Sequence, residues 1–475
     1  MSVSSSFAPD WLTPPADAND LVPGVWPSSA SRSATGEVEI AGIPVSDLAR
    51  TYGTPLYVVD EDEVRARARA ARTAFDAAAS AHGTTAHVYY AGKALLTTEV
   101  ARWVTEEGLA LDVCSAGELA VALAAGVDPR RLGYHGNNKS AGEITRAVEV
   151  GVASIIIDSD VEIERVATAA TAAGVVQSVR LRVNSGVHAE THDFLATAHE
   201  DQKFGFTLSQ APAAVARIRA HASLDFGGLH CHIGSQIFGT AGFRESAARL
   251  LELHEELSLT GPVPILNLGG GFGIAYTRAD RPTPLTELAE GIIEVVAHEC
   301  ARRGIPIPTL AFEPGRSIVG TAGVTLYTVG TTKPVVVDTP DGERTRLYVS
   351  VDGGMSDNAR HALYGAHYSA RVVSRASQTP PTLTRIVGMH CESGDIVVDA
   401  EYLPGDVAPG DLLAVPATGA YCFSLASSYN WAPRPPVIAV RSGEARTIVR
   451  AITVADLLSF DAGARTGGDL SEGSE

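Results

Sequence analysis

Eight short runs rich in β-branched and aromatic residues recur between residues 86 and 317, and they constrain the fold more than any other feature. They are "AHVYYAGK", "GLALDVCSAG", "RLGYHGNNKS", "ASIIIDS", "VRLRVNSG", "DFGGLHCHIGSQ", "PILNLGGGFG" and "TLAFEPGRS". Each but the last is followed by a segment of helical period such as "AGELAVALAAGV" or "SAARLLELHEELSL". Repeated strand-then-helix units call for parallel pairing. Eight of them over roughly 250 residues is the size at which such a sheet closes into a (β/α)8 barrel. An open doubly wound sheet is the alternative, and it usually needs fewer strands.

The pattern changes after Gly320 to alternating strands, "TLYTVGTTKPVVVD" and "RTRLYVSVDGG", with the turn "PDGE" between them. This predicts a second, all-β domain. The segment "EVEIAGIPVSDLARTYGTPLYVVD" precedes the barrel and is expected to lend strands to it. We place the barrel at 55–320 and the β domain at 36–54 with 321–460. Residues 1–35, rich in Ser and Pro, and 461–475, rich in Gly and acid, are expected to be a mobile extension and a disordered tail.

Composition excludes several functions. The net charge is −18, from 37 basic and 55 acidic residues, with no basic run that would hold nucleic acid or a membrane surface. The five cysteines, an odd number, show no C-x-x-C spacing, which argues against a disulfide framework or a zinc knuckle. With no basic start followed by an apolar run, and no apolar stretch long enough to span a bilayer, a soluble cytoplasmic protein is expected.

Polar residues gather where the strands meet their loops: Lys93, Ser115, Asn137, Asp158, Asn184, His232, Gly269 to Gly271 and Glu313. In a barrel that rim carries the active site. Lys93 ends an apolar strand, where desolvation would make its amine a nucleophile toward carbonyls. A snorkelling structural lysine is the plainer reading. The three glycines of "LNLGGGFG" leave backbone N–H groups free to close on a phosphate, although many such runs are plain turns. "FEPGRS" presents a carboxylate and a guanidinium on one short loop, as a structural ion pair also would. His230 and His232 alternate along one strand, so a metal-dependent barrel hydrolase competes. Against it, the eighth run supplies Glu-Pro-Gly-Arg, and an arginine is a poor neighbour for a divalent ion. No metal is expected. A lysine, a glycine turn, a carboxylate beside an arginine and a histidine to stack on a ring together fit pyridoxal 5′-phosphate.

At these residues the chain resembles the fold-type III, pyridoxal-phosphate-dependent decarboxylases and, within them, the diaminopimelate decarboxylases. The resemblance runs from "GIPVSDLARTYGTPLYVVDED" to "ITVADLLS" and rests most on "YHGNNKS", "HEDQKFGF", "GLHCHIGSQIF", "LNLGGGFGIAY", "FEPGRSIVG", "VDGGMSDNARHALYGAHY", "HCESGDI" and "TGAYCFSLASSYN". It implies that Lys93 holds the cofactor aldehyde as a Schiff base, that His232 stacks on the ring and that Glu313 partners the pyridine nitrogen. It further implies that Ser235, Gly271, Gly315 and Arg316 hold the phosphate side, that Asp112 lies near the Schiff base, and that Tyr421 touches both cofactor and substrate. Arg316, Arg360 and Tyr364 match substrate-binding positions.

The resemblance also gives "HCESGD" a use. Cys391 would reach into the active site of the partner in a head-to-tail homodimer as proton donor, and Glu392 would pair with the ammonium at the far end of the substrate. A free thiol, with a pKa of ~8.5, still carries its proton at neutral pH. The implied reaction is decarboxylation of meso-2,6-diaminopimelate to L-lysine, the last step of lysine synthesis. Decarboxylases of ornithine, arginine or carboxynorspermidine, alanine racemase, and a regulator without activity are the alternatives. The linked "MSDNARHALY" and "CES" motifs favour diaminopimelate, whose distal end carries both an amine and a carboxylate.

Overall fold

The computed structural model describes residues 7–187, 203–339 and 342–464, which fall into two compact units. One comprises residues 64–274 and 281–319, and the other the described residues up to 63, 275–280 and those from 320 on.

The first unit is a closed barrel. Its strands are Ala86–Ala91, Ala110–Val113, Leu132–Tyr134, Ser154–Ile157, Gln177–Asn184, Leu224–His230, Ile265–Asn267 and Thr309–Phe312. All pair in parallel in chain order, and Leu310 opposite Ala86 joins the last strand to the first. That closing pair rules out the open sheet. The strands are short and mostly buried, as parallel strands covered by helices must be. Local chemistry starts and stops the helices. Ser140 and Glu143 form a reciprocal capping box at the head of Ala141–Val150, and Gly151 ends it in a left-handed conformation. Phe75 stacks on Phe312 at 4.0 Å, anchoring the eighth strand whose end carries Glu313.

The second unit is built on a sheet in the order Ile396–Pro404, Pro381–Val387, Gly342–Val351, Gly323–Thr339, Leu56–Asp60, Val437–Arg441 and Glu444–Val449. The expected hairpin is present, with Thr339 opposite Gly342, although Pro340 and Asp341 of its turn lie outside the described residues. Leu56–Asp60 pairs with Gly323–Leu326 and with Val437–Val440. The division therefore falls after residue 63, not at 54/55 as the sequence reading placed it. A run of five buried residues looks the same in either sheet, because burial on two faces does not name the neighbour.

The mobile extension expected over 1–35 is corrected for residues 7–35. Leu12 packs on Leu383 and Ala400 with Phe7, Trp11 and Tyr402 around it, and Val25 and Trp26 are buried. Asn19 exchanges hydrogen bonds with the Ser377 backbone at 2.8 and 2.9 Å, and Arg32 donates to the carbonyls of Asn19 and Val372. A few large apolar side chains dock this segment although its average composition is that of a linker. Residues 1–6, the tail beyond residue 464, and the start of "HEDQKFGF" lie outside the described residues.

Candidate active site

Glu313 organises the barrel rim. It follows the eighth strand directly and is buried. Asn267, at the end of the seventh strand, donates to Glu313 Oε1 at 2.7 Å while its own Oδ1 accepts the Gly269 N–H at 2.8 Å. His230 Nε2 stands 3.0 Å from the same Oε1, and His135 Nε2 lies between Glu313 at 3.6 Å and Asp112 Oδ1 at 3.1 Å. The barrel thus brings the ends of five strands to one buried cluster.

The electrostatics divide its two carboxyls. Burial, reinforced by the neighbouring Glu313, holds the Asp112 carboxyl well above the usual range. Burial works against ionised Glu313 too, but His230 and His135 outweigh it and hold Glu313 well below the usual range. Burial brings His135 down to about 4 and lowers His230. Of the two carboxyls, the packing thus favours the proton on Asp112 and the negative charge on Glu313. Such a carboxylate suits a protonated ring nitrogen.

His232 occupies a different place. Its Nδ1 accepts the Gly270 N–H at 3.4 Å, which puts the proton of the neutral ring on Nε2, and burial followed by the charge of Lys93 drives its pKa well down. Among the described residues, His232 does not join His230 in a group of converging metal-ligating atoms. Ligand atoms of His135, His230 and Glu313 do lie within 4.8 Å of one another, but Glu313 Oε1 already accepts from Asn267.

The glycine run passes where no side chain could. A Cβ on Gly270 would stand 2.0 Å from the Glu313 carbonyl oxygen, and one on Gly271, at φ +101°, 2.3 Å from that of Gly234. Gln236 clamps the same run through Ile274, donating at 2.7 Å and accepting at 3.2 Å. Arg316 donates to Ser235 Oγ at 2.8 Å, and Gly315 packs against Ala91 beside Lys93. Lys93 sits on a tight turn, Gly92–Ala94, and is exposed, so the desolvation expected from its strand is not found. The turn lifts the side chain out of the apolar strand. Its charge bears on Asp112, His135 and His232. Asp112 Oδ2 has no hydrogen-bond partner among the described residues. An amine at the rim, an ionised carboxylate in the buried cluster, a backbone cradle and an unpartnered carboxyl oxygen together fit pyridoxal 5′-phosphate.

In the second unit, Arg360 is buried, donating to Tyr368 OH at 2.7 Å with its guanidinium 4.8 Å from the Tyr276 ring. Tyr421 is half-buried in a left-handed conformation, while Tyr364, Cys391 and Glu392 are exposed. The Cys391 N–H donates to Asn430 Oδ1 at 3.3 Å, and Glu392 Oε1 accepts from Ser393 and Gly394 of its own loop.

The sequence reading missed His135 and Asn267, and it weighed His230 as a metal ligand without foreseeing its contact with Glu313. Each ends a barrel strand, so the rim rule that selected Asn137 could have selected His135, two residues earlier. Asn137 itself is exposed. Lys139, buried against Glu162 at 3.0 Å and bonded to the Ile156 carbonyl, fastens the same loop.

Comparison with known proteins fixes the lineage. The family model described as the pyridoxal-binding domain of pyridoxal-dependent decarboxylases matches residues 61–320. The chain belongs to the pyridoxal-dependent decarboxylases. It is 51% identical over 449 residues to diaminopimelate decarboxylase of Mycobacterium tuberculosis, covering 93% of this chain and 98% of the relative. It is 44% identical over 436 residues to that of Bacillus subtilis, covering 91% and 97%. Among solved structures of the family, diaminopimelate decarboxylase of M. jannaschii in complex with L-lysine superposes with a TM-score of 0.83 at 29% identity, over 92% of this chain and 98% of that one.

Proposed function

We propose that the protein converts meso-2,6-diaminopimelate to L-lysine and CO2 with pyridoxal 5′-phosphate, the last step of lysine biosynthesis. The observation that carries this reading is the buried Glu313 carboxylate, ionised between His230 and Asn267 under a rim that also holds Lys93 and a glycine cradle. The curated relatives named for diaminopimelate supply the substrate.

Lys93 is the amine that holds the cofactor aldehyde. Bound cofactor supplies an electron sink for the pair left when the carboxylate departs as CO2. Glu313 keeps the ring nitrogen protonated, and neutral His232 adds no competing positive charge. Ser235, Gly271, Gly315 and Arg316 hold the phosphate, and Asp112, near the Schiff base, keeps its own proton. Arg360 takes the distal carboxylate with Tyr364, Arg316 and Tyr421 beside the substrate, and Glu392 takes the distal ammonium. The Cys391 thiol delivers its proton to the carbon that has lost CO2 and is reprotonated from solvent.

Cys391 and Glu392 are exposed, which is what groups offered to a partner's site require, and we assign the working form as a homodimer with shared sites. Among the described residues no helix is long and apolar enough to cross a membrane. We place the enzyme in the cytoplasm. The test is product analysis with meso-diaminopimelate, LL-diaminopimelate, ornithine and arginine supplied separately. Lysine from the meso isomer alone is expected, whereas putrescine or agmatine would overturn the roles of Arg360 and Glu392.

A further inference from the structure

Two loops of the second unit carry the groups assigned to the substrate's distal end and to proton delivery. One, residues 352–360, leads into Arg360, and the other, residues 388–395, contains Cys391 and Glu392. The side chain of Asp395 stands between them, 3% exposed. Its Oδ1 accepts the Met355 N–H of the first loop at 2.6 Å, and its Oδ2 accepts the His390 N–H of the second at 2.7 Å. Around this bracket the loops are bonded twice more. Met389 N–H donates to the Gly353 carbonyl at 2.9 Å, and His390 Nε2 meets Ser356 Oγ at 2.7 Å.

The space for the carboxyl group is made by glycines on both sides. A Cβ on Gly354 would lie 2.5 Å from Asp395 Oδ1, and one on Gly388 would lie 2.2 Å from Oδ2 and 2.5 Å from the Gly354 Cα. The first loop is carried on to Arg360 without a free joint. Gly354 N–H donates to Asp357, Asn358 N–H donates to the Gly354 carbonyl, and Arg360 N–H donates to Asn358 Oδ1. The bracket is thus rigid on one side up to the guanidinium, and on the other it reaches the residue next to the thiol.

We infer that Asp395 is a positioning residue that locks the Cys391 loop, offered to the partner's site, to the Arg360 loop of its own chain, so that the thiol is delivered from a base fixed to the carboxylate clamp. This deepens the proposed function and rests on its roles for Cys391 and Arg360. The chemistry of the bracket demands an acceptor at both oxygens. Asparagine keeps the shape of Asp395 but turns one acceptor into an NH2 group facing a backbone N–H, so one of the two loops must let go.

The test is Asp395→Asn in the holoenzyme, read three ways: lysine formation, cofactor absorbance, and the rate at which iodoacetamide alkylates Cys391 relative to Cys114, the other exposed cysteine. The variant should keep the cofactor absorbance and its melting temperature to within a few degrees. Its kcat should fall ~10- to 100-fold, as expected when a reacting group is displaced by about 1 Å. The Cys391 alkylation ratio should rise several-fold, a change that a general loss of stability would extend to Cys114. Ser356→Ala, which removes only the side-chain bond to His390, should shift the alkylation ratio in the same direction by less, and it decides the matter should Asp395→Asn not fold. Wild-type kcat and an unchanged alkylation ratio would overturn the inference. A shifted ratio in Asp395→Asn together with full activity in Cys391→Ala would instead leave the bracket standing and overturn the role given to the thiol.

Discussion

The rim cluster around Glu313 and the loop around Cys391 solve opposite problems. At the rim the polar groups face inward and answer one another: Glu313 with Asn267, His230 and His135, and His135 with Asp112. In the loop the supports are buried, Asp395, His390 and Asp357 among them, while Cys391 and Glu392 are exposed. A site that must hold an ionised carboxylate away from water has to satisfy it internally. A group that must be handed to another site needs a rigid base and a free tip. The difference is that the barrel rim satisfies its polar groups within the chain, whereas the β unit holds two exposed groups on a buried, bonded base.

The sharpest way to break that comparison is to separate the two regions' contributions. Lys93→Ala and Cys391→Ala should each abolish lysine formation, and mixing the two under conditions of proven subunit exchange should restore about a quarter of wild-type activity, since half the chains pair and half of their sites are intact. No restoration would place both groups in one chain's site. Next in size, Glu313→Gln should bind cofactor yet lower kcat by ~10²- to 10³-fold, because a neutral amide cannot hold a positive ring nitrogen. A change under tenfold would remove Glu313 from the centre of the rim.

The two regions should also respond to pH with opposite signs. His135 falls from 6.5 to about 4 on folding, so the stability tied to its neutral form is present above pH 6.5 and is lost as pH falls toward 4, about 3 kcal/mol in all. Asp357, buried beside Asp395 and Asp352, rises from 3.8 to about 7, mainly through burial. Its contribution is present below pH 3.8 and is lost as pH rises through 7, about 4 kcal/mol. Urea midpoints should show His135→Asn gaining on the wild type as pH falls, and Asp357→Asn gaining as pH rises. Parallel profiles would mean that neither group titrates as its surroundings dictate. The smallest effect is expected at Arg360, where lysine cannot reproduce the fork held by Tyr368. Arg360→Lys should raise KM for meso-diaminopimelate roughly tenfold with a lesser change in kcat.

Much of this was legible along the chain, and what was not has a common cause. By itself the sequence determined eight strand-helix units, the glycine run that lets backbone close on a ligand, and the rim positions of Lys93, His232 and Glu313, because periodicity, conformational freedom and strand ends are local properties. Tertiary structure alone decided that Thr309–Phe312 closes on Ala86–Ala91, that Leu56–Asp60 joins the β sheet, and that residues 7–35 dock through Leu12, Trp26 and Asn19. It alone also set His135 between Asp112 and Glu313 and Asp395 between two loops, since hydrophobic pattern and residue type record that a group will be buried, and only packing chooses the partner that makes its burial affordable.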